Sequence, residues 1–158
     1  MLELIRFNLQ NKHEWDNFFD LFTSYLHEVC DEEEYRENIA DLHNDRLNAQ
    51  MIEQTLQERD PYFIMRIMDC DICKGLVSYS YIEDRSQGFI NNFFVRKEYR
   101  CSGIGSAVCR IVENHLSSLG AKYIELVPVR KAEGFYLRNG FCFSRISSDG
   151  DRVFCKEI

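Results

Sequence analysis

Between Val95 and Gly120 the chain changes its period once, across a cluster of cations and glycines. Phe89-Ile90-Asn91-Asn92-Phe93-Phe94-Val95 reads as a strand. Arg96, Lys97 and Arg100 then bring three cations close together in a chain of net charge −7. Ser102 and Gly103 open a helix and Gly105 falls in its first turn. Ile104, Ala107, Val108, Ile111, Val112, His115, Leu116 and Leu119 keep to one face until Gly120 stops it. A helix start presents N–H groups without intrahelical acceptors and the positive end of the macrodipole. Such a terminus binds anions, phosphates above all. Glycine lets a ligand come close to the backbone, and Arg100 can add a charge-assisted contact. The segment therefore predicts a phosphate or pyrophosphate seat after a strand. The plainer account of the glycines is close packing of helix on sheet, and His115 is expected to be a packed histidine.

Two other phosphate motifs do not fit. There is no Gly-x-x-x-x-Gly-Lys-Ser/Thr, which removes an NTP-binding P-loop. The three-glycine dinucleotide fingerprint with an acid about 20 residues on is missing as well. The acidic balance argues against nucleic acid as the main partner, which needs a basic face, and against an anionic membrane surface. No apolar run approaches the roughly 18 residues of a membrane span. The opening Met1-Leu2-Glu3-Leu4-Ile5-Arg6 does not read as an export signal, so a cytoplasmic location is expected. With 158 residues, 45% of them apolar, the chain is expected to form one domain over 1–158.

Elsewhere the periods are plain. Leu2 to Phe7 reads as a strand. Asn11 followed by Glu14 fits a capping box, and Trp15, Phe18, Phe19, Phe22, Tyr25, Leu26 and Val29 recur at helical spacing. Residues 31–57 read as a polar second helical region. It carries one stripe at Tyr35, Ile39 and Leu42, an interruption near Asn44-Asp45, and a second stripe at Met51, Ile52 and Leu56. After Pro61 two β-rich runs, 62–68 and 76–82, flank a turn region over 69–75. Tyr123-Ile124-Glu125-Leu126-Val127 is a further strand. A short helix over 131–138 ends at Asn139-Gly140. Two last strands, near 141–146 and 152–156, are joined by Ser148-Asp149-Gly150-Asp151, a hairpin signal.

Seven cysteines are an odd number for a disulfide framework, so free thiols are expected. Cys70-Asp71-Ile72-Cys73 has the spacing of half a zinc site or a redox pair. No second pair or nearby histidine completes four ligands, and a reverse turn flanked by two thiols is the plainer reading. No metal is expected.

Two stretches carry a resemblance. Val95-Arg96-Lys97-Glu98-Tyr99-Arg100-Cys101-Ser102-Gly103-Ile104-Gly105-Ser106 is similar to Arg/Gln-x-x-Gly-x-Gly/Ala after a strand ending in Val. Ala132-Glu133-Gly134-Phe135-Tyr136-Leu137-Arg138-Asn139-Gly140-Phe141 is similar to a short helix with Tyr and a closing Gly-Phe. Both are motifs of the GNAT superfamily of N-acetyltransferases, which the chain resembles over nearly its whole length, with only the outline matching before residue 60. The resemblance implies an α+β fold of α/β/α type. Its mixed, mostly antiparallel sheet of about seven strands is flanked by about four helices and splayed between strands four and five. It implies acetyl-CoA as co-substrate. Backbone groups of Phe93, Phe94 and Val95 would pair with the pantetheine arm. Backbone amides of Cys101, Ser102, Gly103, Ile104, Gly105 and Ser106 would hold the pyrophosphate, with the Arg100 side chain.

Acetyl transfer requires an amine to lose its proton, a thioester oxygen to be stabilised and a thiolate to be protonated. A backbone N–H at the end of the fourth strand can serve the oxygen. By the resemblance Tyr136 is the general acid, and a phenol of pKa about 10 can protonate an alkyl thiolate of about 8.5. Many relatives carry a Glu base where this chain has Asn91, with Asn92 beside it. Asparagine can orient water or substrate but is no useful base. Glu125 is a substitute and a water chain another. Val129 stands where many relatives have an Asn contacting the pantetheine. Cys101 at a helix start, with Cys109 nearby, suggests a covalent acetyl-cysteine route as the less expected alternative to direct transfer.

The expected acceptor is a small-molecule amine or a protein or peptide amine. Glu28, Asp31, Glu32, Glu33, Glu34 and Glu37 cluster against a single Arg36. They either line an acceptor cleft for a cationic amine or form a solvated helix end. A homodimer through the last strands is a further implication of the resemblance. Rival readings are a CoA-binding regulatory module without catalysis and an acyltransferase using another acyl-CoA.

Overall fold

The computed structural model describes residues 1–46 and 61–158. Among them, seven strands form one sheet: β1 (Leu2–Arg6), β2 (Tyr62–Asp69), β3 (Ile72–Ile82), β4 (Gln87–Val95), β5 (Tyr123–Leu126), β6 (Cys142–Ile146) and β7 (Arg152–Glu157), in the spatial order β1-β2-β3-β4-β5-β7-β6. Every neighbouring pair is antiparallel except β4 and β5, which run parallel. Among the described residues the helices are α1 (Lys12–Val29), α2 (Glu32–Arg46), α3 (Ile104–Leu119) and α4 (Glu133–Arg138). This is the mixed, mostly antiparallel α+β sheet with four helices that the motifs imply.

Alternation along β3 separates two cores, because successive side chains of a strand point to opposite faces. Val77 and Tyr79 face α3 and pack with Val108, Val112, Leu116, Ile90, Ile124 and Leu126. Leu76 faces α1 and packs with Phe7, Trp15, Phe18, Leu21 and Phe94. The aromatic stripe of α1 is thus core, as its spacing predicts. Ion pairs fix the other layer on the end of the sheet: Lys156 of β7 reaches Glu113 of α3 at 2.7 Å, and Arg152 reaches Glu133 of α4 at 2.8 Å.

The helix starts follow local chemistry. The Asn11 side chain accepts from the N–H groups of His13 and Glu14, whereas Glu14 reaches back to the N–H of Asn8 instead of Asn11. The reciprocal box stands at α2. Asp31 accepts from Glu34 N at 2.9 Å, and the Glu34 carboxylate accepts from Asp31 N at 3.1 Å. Much of the acidic cluster is therefore the N-terminus of a helix, where its dipole favours carboxylates. α2 runs through Asn44 and Asp45 without the expected interruption. The expected stripe at Met51, Ile52 and Leu56 lies outside the described residues.

The connection expected over 69–75 is much shorter. Asp69 pairs with Ile72, so Cys70 and Asp71 alone make the turn, with Cys70 in the left-handed region at φ 54°. The last hairpin closes over Ser148, Asp149 and Gly150, with Ser147 and Asp151 bonded across it and Gly150 at φ 88°.

Two bulges interrupt the sheet. One leaves Lys74 outside the β2–β3 ladder, and its carbonyl accepts from Arg96 N at 2.8 Å. The other lies on β4: Ser78 faces Asn92 and Tyr79 faces Ile90, so Asn91 is the extra residue. Beside the first bulge, β3 and β4 approach so closely that a Cβ on Gly75 would lie 2.0 Å from the Phe94 carbonyl oxygen. Backbone cannot swing aside as a side chain can. Gly75→Ala is expected to lower stability by about 1–3 kcal/mol, measured by urea unfolding.

Candidate active site

β4 and β5 are paired over the first four residues of β4 and the whole of β5, Gln87 with Tyr123 through Ile90 with Leu126. Beyond Ile90 they part, and the bulge at Asn91 lies at that point. The bulge also resets the alternation of β4. Ile90 and Phe93 share the α3 side, three residues apart, and Phe94 turns to the α1 side. Beyond the bulge, β4 continues to pair with β3 on one edge, while β5 supplies no partner on the other. The backbone groups of 91–95 that point away from β3 therefore border a gap. Its opposite bank is 127–129, where Val127 and Val129 are exposed.

α3 points its start at the end of β4. A short 3-10 turn, Lys97–Tyr99, leads into Cys101 at φ 58° and Gly103 at φ 84°. This left-handed conformation at the helix cap suits glycine. Among the described residues no side chain caps α3, and its first turn holds no acid. The Ser102 hydroxyl, the nearest candidate cap, donates instead to the Tyr99 carbonyl at 2.6 Å. The space where a Gly103 side chain would stand is open. The first amides of α3 thus form an uncapped concavity of the kind that binds anions. Lys74 lies over the Tyr99 ring at 3.7 Å and braces the turn.

Arg100 is already engaged. Its Nη2 donates to both carboxylate oxygens of Glu28, at 3.0 and 2.8 Å, and its Nε donates to the Val95 carbonyl at 2.7 Å. It also lies over the Phe94 ring at 5.5 Å. Arg100 therefore ties α1, the end of β4 and the turn together. Composition alone groups Glu28 with the acidic cluster. Its distinguishing signal is its place one helical turn after Tyr25, at the exposed end of the aromatic stripe.

Tyr136 is buried between Phe135 and Phe141, with ring centroids at 5.1 and 5.7 Å. Phe135 in turn meets Phe93 at 5.8 Å and covers Gly105, whose Cβ would approach its ring at 2.9 Å. This contact links the short helix to both arms of the motif. Burial pushes the Tyr136 phenol well above its ordinary range, with Cys109 and Tyr25 adding to the effect. Tyr25 belongs to the α1 layer, packed on Phe94 at 5.9 Å, and its own phenol is raised by burial. Helical spacing marks Tyr25 only as core, with no sign of its influence on Tyr136.

Asn91 is exposed at the bulge, its amide 3.5 Å from the Ser80 hydroxyl. Glu125 lies in the closed part of the sheet opposite Phe89. It is buried and accepts from Gln87 Nε2 at 2.9 Å and Arg145 Nη2 at 2.8 Å. Cys109 is buried in the core and its thiol is pushed up to about 12, chiefly by burial, which makes it a poor nucleophile. His115 shares a 2.8 Å hydrogen bond with the Tyr79 hydroxyl and packs edge-on against Phe63, so it is a packed histidine. Cys70 is exposed in its turn, while Cys73 packs against the α1 core. Among the described residues no group of three or more His, Cys, Asp or Glu could hold a metal ion. Among the same residues no helix is long and apolar enough to cross a membrane.

No curated protein sequence matches the chain significantly. Solved structures do. An N-acetyltransferase, PaiA, from Thermoplasma acidophilum in complex with coenzyme A superposes with a TM-score of 0.76 at 13% identity, covering 100% of this chain and 99% of that one. A GNAT-family acetyltransferase from Staphylococcus aureus Mu50 gives 0.71 at 17% identity, covering 99% of each chain. A ribosomal L7/L12 alpha-N-protein acetyltransferase in complex with coenzyme A gives 0.72 at 15% identity, covering 99% and 94%. At these identities the likeness is one of fold. The sequence itself matches the model of the acetyltransferase (GNAT) family over residues 15–141, most of its length, and the protein belongs to that family.

Proposed function

We propose that this chain transfers an acetyl group from acetyl-CoA to a primary amine by direct attack, with Tyr136 as general acid. The observation that carries the reading is one juxtaposition: an uncapped helix start at Gly103 faces the end of a strand that leaves its neighbour at Asn91. Acetyl-CoA supplies the acetyl group as an activated thioester. The amides of 101–106 hold the pyrophosphate, and the outward backbone groups of 93–95 pair with the pantetheine arm as an added strand would. Backbone N–H groups released by the bulge stabilise the developing oxyanion. The acceptor is a small-molecule, peptide or protein amine, and we take the reaction to be cytoplasmic.

Burial keeps the Tyr136 proton in place throughout the neutral range, so the phenol stands in its donor form. The same burial lowers the driving force for giving the proton up, so transfer follows the growth of charge on sulfur. Glu125 has its carboxylate engaged by Gln87 and Arg145 in the closed part of the sheet. We therefore assign deprotonation of the amine to water at the mouth of the gap, oriented by Asn91. These two residues also motivate a second reading, a CoA-binding module without turnover. A panel of amines assayed for release of free CoA thiol separates the two, since binding without release on every amine leaves only the second.

Acetyl-CoA at a hundred times its Kd is expected to stabilise the fold by about 2.7 kcal/mol, read as a rise in Tm. No shift in a folded sample overturns the site. Glu28→Gln frees the Arg100 guanidinium toward the anion and is expected to tighten acetyl-CoA binding several-fold by calorimetry, whereas Arg100→Ala weakens it about tenfold. Tyr136→Phe preserves the packing and is expected to lower kcat about a hundredfold or more, with acetyl-CoA affinity unchanged. In the native protein kcat/KM rises with pH as the amine, of pKa about 10, loses its proton. Because the Tyr136 phenol is raised, its deprotonation brings no falling limb below about pH 10.

A further inference from the structure

The β6–β7 hairpin places two thiols face to face. Cys142 of β6 is the register partner of Cys155 of β7, and Cys155 is in turn the partner of Glu125 on β5. Directly opposed residues of antiparallel strands point to the same face, with Cα atoms about 4.5–5.5 Å apart. That spacing lies within the roughly 4.4–6.8 Å that a disulfide spans. Both cysteines are free thiols, Cys142 exposed and Cys155 half-buried. β6 is the edge of the sheet, and all five of its residues are exposed. It is therefore free to make the small adjustment that a bond requires. Cys73, by contrast, stands opposite Met68, with Cys70 in the turn.

We propose that Cys142 and Cys155 form a reversible disulfide site, closed by a low-molecular-weight disulfide; this does not rest on the acetyl-transfer reading. The exposed Cys142 is the thiol that an external disulfide reaches first. Its thiolate attacks one sulfur of that disulfide, forming a mixed disulfide and releasing one equivalent of the small thiol. The Cys155 thiolate then attacks the Cys142 sulfur and expels the second equivalent. The two protein thiols are oxidised, the small disulfide is reduced to two thiols, and each protein thiol yields its proton to solvent. The Cys155 thiol is raised by burial and by Glu125 and Glu157, with Arg145 opposing them, so little of it is thiolate at neutral pH and its attack relies on the proximity of Cys142 across the hairpin. The link would join β6 to β7 near the Arg145–Glu125 ion pair, which reaches at 2.8 Å from β6 across β7 to β5.

The test is incubation of the folded protein with millimolar oxidised glutathione, followed by peptide mapping without reduction. The expected result is a Cys142–Cys155 linked peptide that carries no glutathione and is lost on treatment with dithiothreitol. Cys155→Ser is expected to stop at glutathione on Cys142. Three results overturn the proposal in a sample whose circular dichroism is unchanged: glutathione retained on Cys142 of the native chain, linkage of either cysteine to another position or another chain, or no reaction at either thiol.

Discussion

The single extra residue at Asn91 governs most of what this sheet can do. A parallel strand pair normally continues until one strand ends. Here β5 ends at Leu126, opposite Ile90, while β4 runs on along β3 to Val95 past the bulge, where its side-chain phase changes. Without the phase change Phe93 would not join Phe135, and Phe94 would not join the α1 core. One inserted residue thus stands where the strands part and decides which phenylalanine takes which face.

The helix α3 answers that gap from the other side. Its buried residues hold the core, yet among the described residues its first turn has neither a side-chain cap nor an acid. A helix start left in this state is energetically incomplete, because its N–H groups have no intrahelical acceptor. The cation best placed to neutralise an anion there is shared with α1 through Glu28. The site is accordingly built from both layers of the molecule. Its backbone comes from β4 and α3, and the restraint on its arginine from α1.

Much of this is legible in the sequence, and for identifiable reasons. The change of period at Pro61, the glycine at the end of α3 and the strand–cation–glycine order around Arg100 are local signals, and each marks an element found close to its expected place. Features set by tertiary approach are not legible. Asn91-Asn92 reads as ordinary strand, since nothing in the two residues says which will be left unpaired. The turn at Cys70-Asp71 is tighter than its composition suggests, because a left-handed cysteine has no compositional mark. Arg100 announces a charge but not Glu28 as its partner, 72 residues earlier in the chain. Glu125 reads as a strand acid and a substitute base, and only the fold brings Gln87 and Arg145 to it.

That last network has a mechanical meaning. Gln87 is on β4, Glu125 on β5 and Arg145 on β6, so two hydrogen bonds run across the sheet at the closed end of the gap, with β7 spanned between. The four register pairs between β4 and β5 lie at the same end. The two strands therefore behave as the arms of a clothes-peg whose spring is this buried carboxylate. Its root is held by these bonds and pairs, while its mouth, toward Val95 and Val129, has no strand pairing across it.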